Sequence, residues 1–112
     1  GRTDDMLKVK GVNVFPAAVK EVISSFAPRT TGEMRIVLKR PGPAVGENLR
    51  IKVEHGDGLS GTEMEALRED LVRTIREKLV FRPVIELVPA DTFPKSEYKV
   101  EYFEKLYENP AS

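Results

Sequence analysis

The sequence contains no cysteine, a single histidine and no excess charge of either sign. Without cysteine the chain forms no disulfide, no thiolate metal site and no cysteine nucleophile, a composition compatible with the cytoplasm. His55 has no second histidine to share a metal ion with, so a loop histidine bonded to its surroundings is the simpler interpretation. We therefore expect no metal site on this chain.

Lysine plus arginine and aspartate plus glutamate each number 18, and aromatic residues make up 7% of the chain. A neutral chain with few aromatic residues favours neither nucleic acid nor an anionic membrane, so any basic site must be local. No apolar stretch approaches the roughly 20 residues of a membrane span, and the first residues lack the features of a signal peptide. The composition predicts a soluble, cytoplasmic domain with no nucleic-acid or membrane partner.

The first quarter of the chain predicts a hairpin followed by a helix. Residues 6–14 alternate loosely in polarity around Gly11, where the missing Cβ tolerates unusual φ angles. Pro16 suits the first turn of a helix, and apolar residues then recur at helical spacing until Pro28. We expect a small hairpin and a helix over residues 16–27.

Two strands should follow and pair with each other. Residues 34–38 and 49–54 alternate between apolar and charged side chains, which is the period of a half-buried strand. The loop between them, residues 41–46, is rich in proline and glycine and shows no phosphate-binding pattern.

The second half predicts another helix, a strand and a tail. Ser60 and Glu63 have capping-box spacing ahead of an amphipathic stretch that Pro83 ends. Residues 84–88 are rich in β-formers, and residues 100–108 fit either a short helix or a strand. The order predicts a single α+β domain over residues 1–112, a two-layer, ferredoxin-like sandwich with two helices on one face of a mainly antiparallel sheet and a small N-terminal hairpin.

Single charged residues have plain structural interpretations. Arg2, Asp4 and Asp5 fit a turn with a weak surface ion pair. Lys10 fits the solvated side of a hairpin, and Lys99 fits an exposed loop. None of these residues indicates a function alone.

The order of the motifs is more specific. Gly1-Arg2, Asp4-Asp5-Met6-Leu7 and the stretch from Gly11 to Pro16 open the chain, and Pro94-Lys95-Ser96-Glu97-Tyr98-Lys99 stands near its end. This arrangement resembles the C-terminal domain of adenylate-forming ligases, specifically phenylacetate-CoA ligases. In that family a GR-x-DDML…GVNVFP stretch crosses from a large N-terminal domain into a small mobile lid, and a lysine follows near the end of the lid.

The resemblance implies a two-step reaction on a carboxylic acid. ATP and coenzyme A would be co-substrates, and Mg²⁺ would accompany ATP on the N-terminal adenylation domain, the partner in the same polypeptide. An aromatic acid, an aryl acetate or benzoate, is the substrate class that the resemblance suggests.

The resemblance also implies roles for particular residues. Lys99 would be the catalytic adenylation lysine, with Lys95 as the alternative because Tyr98 stands where the family has glycine. Asp4 would be the hinge, and Arg2 would lie near the nucleotide. The hairpin residues would line the coenzyme A channel after domain rotation; they are Lys10, Gly11, Val12 and Asn13.

Two hypotheses therefore compete. In the first, the chain is the lid of a larger ligase, cut from a longer polypeptide and inactive by itself. In the second, it is a free-standing α+β regulatory module that binds a small molecule, since this fold class supports many functions.

Overall fold

The computed structural model describes residues 6–39, 44–45, 48–93 and 102–105. Its elements are β1 (Leu7–Val9), β2 (Val12–Val14), α1 (Pro16–Ser24), β3 (Thr30–Leu38), β4 (Ala44–Val45), β5 (Leu49–His55), α2 (Gly61–Leu79), β6 (Pro83–Val88) and β7 (Phe103–Lys105).

The main sheet has four strands in the order β6-β5-β3-β7. Its central pair, β3 and β5, is antiparallel with Ile36 opposite Ile51, whereas β5–β6 and β3–β7 are parallel pairs. Parallel neighbours need a crossover connection, and α2 supplies one between β5 and β6. A smaller sheet of order β2-β1-β4 combines the hairpin with a two-residue parallel strand.

Strand alternation gives the main sheet one apolar face. Ile36 and Ile51 are fully buried on this face, in one hydrophobic cluster with the buried residues of both helices. The helical contributions recur at three- and four-residue steps, as an amphipathic helix requires. They are Val19, Val22 and Ile23 of α1 and Leu67, Leu71 and Ile75 of α2. The two helices therefore cover the same face of the sheet and contact each other.

The ends of α2 follow the sequence signals. Ser60 Oγ accepts from the Glu63 N–H at 3.1 Å, and Glu63 Oε1 accepts from the Ser60 N–H at 2.8 Å, so the predicted capping box is present. The helix ends at Leu79 because Val80 adopts a left-handed conformation, with φ of 65°.

The predicted end of α1 is wrong by three residues. The helix stops at Ser24, and tighter turns follow, in which the Phe26 N–H donates to Ile23 O and the Ala27 N–H to Ser24 O, both at 3.1 Å. Proline disfavours helical geometry in the residue before it, so the chain leaves the helix ahead of Pro28.

The predicted α+β class, with two helices on one face of a sheet and a separate hairpin, is confirmed. The structure adds that the sheet is mixed, that β4 forms within the proline-rich loop, and that the tail contributes a strand, β7. Among the described residues, neither helix has the length and apolar character needed to cross a membrane.

Candidate functional site

The hairpin turn is the first part of the candidate site. Val9 pairs with Val12, so Lys10 and Gly11 form a two-residue loop with φ angles of 50° and 88°. A type I′ hairpin turn requires positive φ at both central residues, which glycine adopts at little cost. A Cβ at Gly11 would have no neighbour within 4 Å, so the backbone is open on that side.

The strands of the hairpin are fixed to the rest of the domain. Leu7, Val9 and Val14 are buried in the hydrophobic cluster, whereas Lys8 and Asn13 lie opposite each other on the exposed side. β4 adds parallel pairing to the other edge of β1. The strands on either side of the turn are therefore held by core packing and by pairing with β4.

A groove of about 270 Å³ lies beside the turn. The hairpin forms one side of it, and the connection between α2 and β6 forms the other. Its lining residues are Val9, Lys10, Val12, Asn48, Val80, Phe81 and Arg82. Val80 is 69% exposed, whereas neighbouring Phe81 is buried in the core.

The groove combines apolar walls with positive charge. Lys10 Nζ donates to Asn48 Oδ1 at 3.3 Å, and both residues line the groove. Arg82 brings a second cation, and no carboxylate is among the described residues that line this space. Such a groove suits a ligand with an apolar arm and an anionic group.

Comparison with known proteins identifies the domain. A family model, the AMP-binding enzyme C-terminal domain, matches residues 11–104. The chain belongs to this family. The match starts in the hairpin turn at Gly11 and ends in β7, so it includes both helices and the four-stranded sheet.

One curated relative of this AMP-binding enzyme C-terminal domain is phenylacetate-coenzyme A ligase of Thermus thermophilus. The two are 32% identical over 110 residues, covering 87% of this chain and 24% of the relative. The chain thus spans about a quarter of that ligase. The predicted resemblance to the C-terminal domain of phenylacetate-CoA ligases is confirmed.

Solved structures share the fold. A 2-hydroxyisobutyryl-CoA ligase in the postadenylation state matches with a TM-score of 0.82 at 23% identity, over 94% of this chain and 22% of that one. A domain of phenylacetate-coenzyme A ligase from Bacteroides vulgatus matches with a TM-score of 0.73 at 24% identity, over 95% of this chain and 96% of that one. At these identities the likeness establishes the fold.

The site residues predicted from sequence divide into two groups. Those of the hairpin, Lys10 to Asn13, lie together at and after the turn, and two of them, Lys10 and Val12, line the groove. Arg2, Asp4, Lys99 and its alternative Lys95 lie outside the described residues, so their roles stay predictions.

Two polar residues that line the groove, Asn48 and Arg82, were not among the predicted site residues. Asn48 precedes β5 and Arg82 precedes β6, and neither stands in a motif. They reach the hairpin only because the core brings these strand starts to its side, a tertiary contact that no local pattern signals.

His55 is the last residue of β5, and its Nδ1 lies 2.9 Å from the carbonyl oxygen of Gly56. Among the described residues, no three histidine or carboxylate side chains come together as a metal site would need.

Proposed function

We propose that this chain is the C-terminal domain of an ATP-dependent carboxylate–CoA ligase. The observation that carries the proposal is the packed hairpin, whose turn at Gly11 is open, beside a groove lined by the basic side chains of Lys10 and Arg82. The family match, which begins in this turn, supports it, as does the name of the relative from Thermus thermophilus.

The proposed reaction has two steps. A carboxylate oxygen attacks the α-phosphorus of ATP and pyrophosphate leaves; the thiol of coenzyme A then attacks the acyl carbon and AMP leaves. The acid, ATP and Mg²⁺ would occupy the N-terminal adenylation domain of the same polypeptide, as the resemblance to adenylate-forming ligases implies. An aromatic acid is the substrate that we infer from the phenylacetate ligase relative.

In the first step, Lys99 would reach the adenylation domain and place its ammonium group between the substrate carboxylate and the α-phosphate. Transfer to phosphorus depends mainly on positioning and on neutralising charge on the transferring oxygens. A lysine supplies such charge without accepting a proton, so its role would be electrostatic.

In the second step, the domain would rotate about Asp4, with Arg2 near the nucleotide at the junction. Rotation would withdraw Lys99 from the adenylation domain and bring the hairpin to the channel that holds the pantetheine arm of coenzyme A. Gly11 leaves room for close backbone approach, and Lys10 can meet a phosphate of coenzyme A.

The test is to measure the two half-reactions separately in the complete ligase. We expect Lys99→Ala to lower adenylation, measured as ATP–pyrophosphate exchange, by roughly a hundredfold or more because one charge-stabilising group is lost. Thioester formation from supplied acyl-adenylate should be retained. Lys10→Ala should do the reverse, leaving adenylation intact and raising KM for coenzyme A roughly threefold to tenfold.

Arg68→Ala provides a matched control, because Arg68 is a cation of α2 that does not line the groove. Equal loss of both half-reactions in Lys99→Ala would contradict the proposal. So would a small molecule held stoichiometrically by the purified chain, which would instead favour the regulatory module.

A further inference from the structure

The sheet face opposite the helices carries a buried carboxyl group. Glu54, in β5, is 0% exposed. Its Oε2 accepts from the main-chain N–H of Phe93 at 2.7 Å, and its Oε1 accepts from Thr31 Oγ1 at 2.8 Å. The carboxyl group therefore ties a residue beyond β6 to the two central strands.

Phe93 is held by its ring as well. The Arg35 guanidinium carbon lies 4.7 Å from the centroid of the Phe93 ring, and both side chains are buried. Arg35 is in turn fixed, because its Nη1 donates to the Met34 carbonyl oxygen at 2.7 Å. A cation over an aromatic face contributes more when both groups are desolvated.

This arrangement differs from the other charged contacts on the same face. The Arg50–Glu86 pair is 3.1 Å long, with side chains 48% and 42% exposed, and contacts of that kind contribute little to stability. Burying a carboxyl group is costly unless hydrogen bonds satisfy it. The Glu54 carboxyl group is satisfied by two hydrogen bonds, and one of them comes from the main-chain N–H of Phe93, a residue outside the sheet.

Phe93 directly precedes residues 94–101, and the other flank of that stretch is also attached to the sheet. The Ile36 N–H donates to the Tyr102 carbonyl oxygen at 2.7 Å, and Phe103 pairs with Ile36 at the start of β7. Both flanks of the stretch that contains Lys99 in the sequence are thus fixed to the central strands.

We propose that Glu54 is a positioning residue for adenylation: together with Thr31 and Arg35 it fixes the main chain at Phe93 and so sets the origin of the Lys99 segment. This inference rests on the proposed function, in which Lys99 acts in the first half-reaction. A displacement of about 1 Å in a reacting geometry can cost a hundredfold in rate, so loss of this attachment should appear in kcat.

The experiment compares Glu54→Ala with Glu54→Gln in the complete ligase. Glu54→Ala removes both hydrogen bonds, and we expect kcat of adenylation to fall roughly tenfold to a hundredfold with little change in KM for ATP. Thioester formation from supplied acyl-adenylate should stay within about twofold. Glu54→Gln should restore most of the adenylation rate, because its amide oxygen can accept from Phe93 and its NH₂ can donate to Thr31 Oγ1.

Glu86→Ala is the matched control, since it removes a glutamate from the same face without touching Phe93. Thr31→Val, at an exposed position, gives a second test if Glu54→Ala does not fold, and should lower adenylation selectively by a smaller factor. Selective loss of adenylation in either variant, with Glu86→Ala unchanged, would support the inference.

A purely structural role predicts another result. If Glu54→Ala and Thr31→Val lower both half-reactions equally, or change neither half-reaction, the inference is wrong. The proposed function still stands in that case if Lys99→Ala separates the half-reactions. If Lys99→Ala does not separate them, the proposed function fails and the inference falls with it.

Discussion

The two faces of the four-stranded sheet are built from alternate residues of the same strands, yet they are held by different forces. On the helix side, Ile51 is 0% exposed and packs in the apolar core. On the opposite side, the next residue, Lys52, pairs with Glu104 at 3.1 Å. The comparison teaches that apolar burial on one face stabilises the domain, whereas polar contacts on the other attach particular segments to the sheet.

The largest expected effect tests this comparison at neighbouring positions. Ile51→Ala should lower the free energy of unfolding by about 2–5 kcal/mol, because it removes buried methyl groups and leaves a cavity. Lys52→Ala, the matched control on the other face, should cost less than about 1 kcal/mol because a partly exposed ion pair contributes little. Urea unfolding of the 112-residue chain measures both values. Similar costs at the two positions would break the comparison.

A smaller effect on the free energy of unfolding is expected from the N-terminal cap of α2. It shows how much this local contact, compared with core packing, stabilises the helix side of the sheet. Ser60→Ala removes the side-chain oxygen that caps α2 and should cost about 1 kcal/mol. Glu63→Gln should be nearly neutral, since glutamine can also complete a capping box. Thermal unfolding of both variants is the measurement. A cost for Ser60→Ala as large as that of Ile51→Ala would mean that the cap matters as much as the core.

The smallest effect is pH-dependent and involves Asp70 of α2, which contacts Arg29 in the connection between α1 and β3. Hydrogen bonds from Arg29 (3.1 Å) and then Arg73 (2.6 Å) lower the pKa of the Asp70 carboxyl group below its usual range. A lowered folded-state pKa adds stability above the unfolded-state value, and this stability is lost as the pH falls through the folded-state value. Wild type should therefore melt slightly above Asp70→Asn near neutral pH, with the difference closing below about pH 4.

Melting curves of the two proteins between neutral and strongly acidic pH give the comparison directly. Screening by added salt should also reduce the difference, because Asp70 and Arg29 are partly exposed. A difference that persists unchanged in strong acid would show that the carboxylate charge is not its cause.

Features that depend on neighbouring residues could be predicted from the sequence. The Gly11 turn needs positive φ, the Ser60–Glu63 box spans one helical turn, and the strand alternation of residues 49–54 places its apolar side chains on one face. The family resemblance followed from motif order. Helix α1 ends three residues before the predicted position, because Pro28 disfavours helical geometry in the residue before it and the chain enters tighter turns after Ser24.

Contacts between distant residues could not be predicted in this way. The pairing of β4 with β1, the approach of Arg82 to the hairpin groove and the Glu54–Phe93 hydrogen bond join segments far apart in the chain. Alternation assigns Glu54 to the polar face, where solvent exposure is expected. The structure buries it, because the chain at Phe93 covers it.

By itself, the sequence determined the class of the domain, its main elements and the hairpin turn, because periodicity, caps and turn residues act over a few positions. Only the tertiary structure decided which polar groups meet across the chain: Lys10 with Asn48 at the groove, and Glu54 with the main-chain N–H of Phe93 on the sheet face opposite the helices. Those meetings depend on how the whole core packs, and no short stretch of sequence contains that information.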